Sequence, residues 1–131
     1  MKQRKSLEEI LQSVSGVMFP DELGGHRIEI NTADASGDTP LHVLIWCGDS
    51  YGAKLVVEAG ADVNAVGDMG ETPLQVALSK ENREITEALL QAGANPDIRS
   101  EFDETAREKA EKMGGVFKKL LRQYCDTQPS R

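Results

Sequence analysis

The chain has 131 residues, 39% hydrophobic and 28% charged, a balance that suits one modest domain and argues against a long disordered tract. Only 5% of the residues are aromatic, so a core has to be built from Leu, Ile, Val and Ala, which favours packed helices over a β-sandwich. No stretch approaches the roughly 20 apolar residues of a membrane-spanning helix. Cys47 and Cys125 are too few and too far apart for a disulfide framework or a cysteine-based zinc site, and free thiols are expected.

The formal charge of −7 is unevenly spread. Residues 21–104 carry 17 acidic and 5 basic side chains, whereas residues 105–131 carry 7 basic and 3 acidic ones. Such an acidic middle repels phosphate backbones and anionic lipid, so neither nucleic acid nor a membrane is expected as a partner; a basic protein is attracted instead. The basic start, Met1 to Lys5, lacks a following apolar run because Glu8 and Glu9 interrupt it, so no signal peptide and a cytoplasmic location are expected.

In chain order, Ser6 and Glu9 form a capping-box pair, and Leu7, Ile10, Leu11 and Val14 fall on one helical stripe, which predicts an N-terminal cap helix. The segment from Val17 to Gly25, with Pro20 and Gly24-Gly25, is expected to join that helix to the first repeat unit. Next comes Gly37-Asp38-Thr39-Pro40-Leu41-His42-Val43, echoed 33 residues later by Gly70-Glu71-Thr72-Pro73-Leu74-Gln75-Val76. Ala59-Gly60-Ala61-Asp62-Val63-Asn64 returns at the same offset as Ala92-Gly93-Ala94-Asn95-Pro96-Asp97.

Each Thr-Pro step reads as a helix start, with Thr39 and Thr72 as N-caps and Pro40 and Pro73 at the first helical position. A second helix comes after it, carrying Ala53, Val56 and Val57 or Ile85, Ala88, Leu89 and Leu90 on one stripe, and Gly60 and Gly93 end it in a left-handed conformation. Polar Asp-, Asn- and Gly-rich turns link the units. A fainter copy starts at Thr105-Ala106, and Val116, Leu120 and Tyr124 with Phe117 and Leu121 predict a last helix flanked by Lys118, Lys119 and Arg122.

This turn, helix, loop, helix unit resembles the ankyrin repeat, whose Gly-x-Thr-Pro-Leu-His motif is matched by Gly37, Thr39, Pro40, Leu41 and His42. The resemblance implies an all-α repeat solenoid with hairpin-like fingers, atypical capping units and one concave face. It divides a single domain into a cap helix and linker (6–29), repeat 1 (30–62), repeat 2 (63–95), a C-terminal capping repeat (96–125) and a tail (126–131). Several positions depart from the motif. Arg107 replaces a Leu and Asp103 a Gly, both suited to a solvent-facing last unit. Leu44 stands where the motif has Ala, and Glu81 where it has Gly.

Catalytic chemistry finds little support, and no enzyme is expected. His42 and Cys47 lie five residues apart, so their side chains point to different faces and do not pair as nucleophile and base. A structural role for His42, bonding neighbouring backbone, is what the resemblance implies. His26 has no carboxylate at helical spacing; only burial beside one would revive a hydrolytic reading. Residues 34–38 lack the ligand spacing of a calcium loop, and no phosphate-binding Gly-rich loop is present. No cofactor or metal is expected.

A binding face is the better-supported expectation. The resemblance points to the finger tips and the exposed positions of each first helix: Ala35, Ser36 and Asp38; Trp46 and Cys47; Asp68, Met69 and Glu71; Ser79 and Lys80; Glu101, Phe102 and Glu104; Lys112 and Met113. This set places Trp46, Met69, Phe102 and Met113 where the fold would expose them, interspersed with carboxylates, and Trp46 is the first choice of anchor. Trp46 packing against Tyr51 or the cap, and Phe102 against the last unit, are the alternatives. The chain is expected to be a monomer when free and to bind a basic partner. Small bacterial ankyrin immunity proteins suggest a cognate toxin domain as that partner; a constitutive adaptor is the alternative.

Overall fold

The structure is a computed structural model and describes residues 5–20 and 27–126. Both Thr-Pro steps begin a helix. Thr39 and Thr72 hold extended backbone, and proline occupies the first position of α3 (Pro40–Trp46) and α5 (Pro73–Ser79), where a missing N–H leaves nothing unpaired. Thr105 opens α7 (Ala106–Met113) in the same conformation, its hydroxyl accepting from the Glu108 N–H at 3.1 Å.

A second helix packs back on each first one. In α4 (Ser50–Glu58) and α6 (Arg83–Gln91) the caps are Asp49 and Asn82, whose side chains accept from the Gly52 and Ile85 N–H groups at 2.9 and 3.0 Å. Helix α8 (Gly115–Leu121) succeeds α7 across Gly114. The chain turns between paired helices through positive-φ residues: Gly48 (φ 76°) in the first pair, Glu81 (φ 54°) in the second, and Gly114 with Gly115 (φ 67° and 57°) in the third. Glu81 is thus a glutamate in a glycine's backbone conformation.

Gly60 and Gly93 end α4 and α6 as expected. The Ala61 N–H bonds back to the Val56 carbonyl, and Ala94 N–H to that of Leu89, so that carbonyls orphaned at the helix end are satisfied. The fingers are tight turns, with no strand among the described residues. Each is closed at its base by the same bond, Asp34 N–H to the Asp38 carbonyl (2.9 Å), Gly67 to Glu71 (2.9 Å) and Ser100 to Glu104 (3.0 Å), with a return bond inside the turn from Gly37 to Asp34, Gly70 to Gly67 and Asp103 to Ser100. Asp103, in the place of Gly37 and Gly70, takes the same left-handed conformation (φ 60°), so the third finger keeps its shape. Short polar side chains tolerate that region better than most.

The helices stack in two rows, α3 on α5 on α7 and α4 on α6 on α8. The cap extends both. Helix α1 (Leu7–Ser13), held by the Ser6–Glu9 capping box, packs on α4, and a short α2 (Ser15–Met18) packs on α3. The expected linker therefore begins with a helical turn, because Ser15 and Met18 are buried against α3. Residues 21–26, including Gly24-Gly25 and His26, lie outside the described residues. Beyond them Ile28 is gripped by Gln12, whose amide nitrogen donates to its carbonyl (3.0 Å) and whose amide oxygen accepts from its N–H (3.2 Å).

The core between the rows is aliphatic, with Leu41, Ile45, Val56, Leu74, Leu78, Ile85 and Leu89 fully buried. Leu44 is accommodated because Gly52 lies against it: a Cβ on Gly52 would sit 3.2 Å from a Leu44 methyl. One repeat later the same registers hold Ala77 and Ile85, so the bulk has moved from one helix to the other. Arg107 faces solvent in a two-point ion pair with Asp97 (2.8 and 3.1 Å). No helix among the described residues is long and apolar enough to cross a membrane.

Candidate partner-binding face

The third residue of each first helix sets the finger positions. His42 is fully buried; its Nδ1 accepts from the Thr39 N–H (3.1 Å), which leaves Nε2–H to donate to the Glu71 carbonyl in the next finger (3.0 Å). Gln75 repeats this with an amide, its oxygen accepting from the Thr72 N–H (2.8 Å) and its nitrogen donating to the Ile98 and Glu104 carbonyls (both 2.9 Å). Burial lowers the His42 imidazole from its ordinary value, against the pull of the Glu71 carbonyl and the Asp38 carboxylate. The role expected of His42 is the one it has here.

The fingers are further tied to one another. The Asp38 carboxylate accepts from the Asp68 N–H (2.9 Å), and the Glu101 N–H donates to the Met69 carbonyl (3.0 Å). Asn31 accepts from the Asp62 N–H and Asn64 from that of Asn95, so the links between units are also stitched at one-repeat intervals. Gly67 is needed for the close approach, since a Cβ there would collide with the Asp38 carboxylate and the His42 ring.

The expected site residues divide into two groups on this frame. Asp38, Asp68, Met69, Glu71, Glu101, Phe102 and Glu104 lie together on the fingers. Burial raises the Glu71 carboxyl above its usual range, opposed by the Lys109 ammonium and reinforced by the Asp68, Asp38 and Glu104 carboxylates. Glu104 is held by Lys112 (2.7 Å) and more loosely by Lys109 (3.9 Å).

Trp46, Cys47 and Lys80 form the second group, at the far ends of α3 and α5. Between Pro40 and Trp46 helix α3 rises about 9 Å, so the indole and the finger carboxylates are at opposite ends of the same helix row. Trp46 is 48% exposed, and the Lys80 ammonium lies over its ring, 5.1 Å from the centroid. Cys47 is an exposed free thiol. Met113 is half-buried and packed against the core, not presented as an exposed side chain.

Phe102 is 65% exposed and Met69 49%. Val66, which sequence reasoning missed, is 52% exposed at the start of the second finger. Its signal was a β-branched apolar residue where the neighbouring units have Ala33 and Arg99. Among the described residues no three His, Cys, Asp or Glu side chains are grouped to hold a metal ion. The question of burial for His26 falls outside the described residues.

A family model described as ankyrin repeats, in three copies, matches residues 22–100. The chain is 34% identical to human Rabankyrin-5 over 113 residues, covering 76% of this chain and 10% of that protein. It is 36% identical to the BRCA1-associated RING domain protein 1 of Caenorhabditis elegans over 89 residues, covering 67% of this chain and 12% of that protein. The chain thus spans about a tenth of the length of these relatives.

Proposed function

The chain belongs to the ankyrin-repeat family, whose members are protein-binding modules, and on that premise we propose that it takes a basic protein partner on its acidic finger face. The observation that carries this reading is the concentration of Asp38, Asp68, Glu71, Glu101 and Glu104 on fingers locked together by Asp38 and Gln75. Rigid, like-charged groups on one face raise the rate at which a cationic partner finds it. Trp46 adds an exposed aromatic anchor at the other end of the helix row. Nothing among the described residues or in the comparisons points to catalysis.

The specific output we put forward is occlusion of a cationic toxin domain, supported by the acidity and by the resemblance to small bacterial immunity proteins. A titration of partner affinity against ionic strength tests the reading. Charge-steered binding weakens steeply as salt rises. A salt-insensitive complex, or a partner whose activity survives saturation with this chain, favours a constitutive adaptor.

A further inference from the structure

The described exposed apolar side chains include three on adjacent fingers: Val66 and Met69 on the second, Phe102 on the third. The two fingers are bonded directly through the Met69 carbonyl and the Glu101 N–H, so the three exposed side chains stand on neighbouring fingers and are treated together as one ridge. On the first finger Ala33 and Ser36 stand in the places of Val66 and Met69, so the ridge belongs to the second and third fingers alone. Met69 sits at φ 60°, a left-handed conformation that disfavours any side chain larger than a short polar one. Neither the core nor the turn benefits from a methionine at this tip, since half of it faces water.

Carboxylates surround the ridge. Asp68 precedes Met69, Glu101 and Asp103 flank Phe102, and Glu71 and Glu104 close the two turns. Arg99 reaches Asp103, and Lys112 and Lys109 reach Glu104. Asp68 and Glu101 have no ion-pair partner among the described residues. An apolar strip edged by unneutralised negative charge complements a segment in which apolar and cationic side chains are interleaved.

We propose that the Val66–Met69–Phe102 ridge is the docking strip for a short partner segment that alternates large apolar residues with Lys or Arg. The apolar side chains of the segment cover Met69 and Phe102, and its cations meet Asp68 and Glu101. This deepens the proposed function and rests on it, naming where on the finger face the partner sits and what sequence chemistry it carries.

The test is selection of a random-peptide phage library on the full chain, followed by affinity measurement of the synthesised winners. Three variants are compared: Met69→Asn with Phe102→Ser; Asp68→Asn with Glu101→Gln; and Trp46→Ala. Asn suits the left-handed backbone at position 69, and all these side chains are exposed, so a thermal melt is expected to show folded protein throughout. The expected result is winners rich in Lys or Arg and in large apolar residues, weakened at least about tenfold by each of the two finger variants. Basic winners that ignore the Met69/Phe102 variant but respond to the acid variant overturn the ridge while leaving the acidic-face reading intact. Winners without basic residues overturn both. Sedimentation of the chain alone is the second measurement: dimers that the Met69/Phe102 variant dissociates would make a second copy the occupant and overturn the proposal.

Discussion

His42 and Gln75, 33 residues apart, perform one task with different chemistry. Each accepts a hydrogen bond from the threonine N–H that opens its own helix and donates one or two to carbonyls of the next unit. In the last repeat, Glu108 keeps the first half of the task, accepting from the Thr105 N–H at 3.1 Å. Its other oxygen pairs with Arg99 at 3.2 Å, where the earlier repeats donate onward. A carboxylate has no proton to donate at neutral pH, so the onward donation made by His42 and Gln75 is not available to Glu108.

That equivalence predicts the effect of His42→Gln. The folded chain holds His42 neutral below the ordinary value of 6.5, so as pH falls through 6.5 the unfolded chain takes up a proton that the folded one refuses. Stability contributed by the neutral ring is present above that pH and lost below it. Thermal melts of the wild type should therefore fall on acidification from neutrality, and His42→Gln should fold and show a shallower fall. Equal slopes in the two proteins would show that other groups govern the acid limb.

Leu44 and Gly52 occupy one volume between them, as Ala77 and Ile85 do in the next repeat. Leu44→Ala is expected to cost about 2–5 kcal/mol through the cavity it leaves. Gly52→Ala is expected to cost about 1–3 kcal/mol, because the new Cβ meets both the Leu44 methyl and the Asp49 cap. Denaturant melts of the double variant should show less than the sum of the two, since removing Leu44 opens space for the added methyl. Strict additivity would mean that the cost at Gly52 comes from the displaced Asp49 alone.

Glu81 holds the left-handed turn position that Gly48 and Gly114 occupy in the neighbouring repeats. Its side chain is exposed and contributes nothing to the core. Glu81→Gly should raise stability by about 1 kcal/mol by relieving the backbone, read as a higher melting temperature. A lower melting temperature would reveal a role for the carboxylate that outweighs the strain.

Trp46→Ala should weaken partner binding by about 2 kcal/mol or more while leaving the melting temperature close to that of the parent, as for an exposed hot-spot residue. The half-exposed ring and the Lys80 ammonium over it supply the reason: little core packing is lost. Unfolding with unchanged affinity would place the indole in the structural framework instead.

Much of the fold was legible because its signals are local. The period of 33, the Thr-Pro starts, the glycine stops and the Ser6–Glu9 box each act over a few residues, and backbone sterics and orphaned amides demand them wherever they occur. Departures from the motif were visible, but their backbone conformation was not. Glu81 and Asp103 looked like lost glycines, and only their φ angles show that the left-handed turns survived the substitutions.

By itself the sequence determined the architecture and, through the motif it resembles, the structural role of His42. The tertiary structure decided what depends on a neighbour some thirty residues away. Examples are the onward bonds of His42 and Gln75, the pairing of Leu44 with Gly52, the ammonium above Trp46 and the half-burial of Met113. It also divided the expected site, leaving the carboxylates and Phe102 at one end of the helix row and the indole at the other. Spacing along a chain reports which residues share a face of one helix; which atoms meet between helices depends on how neighbouring units stack.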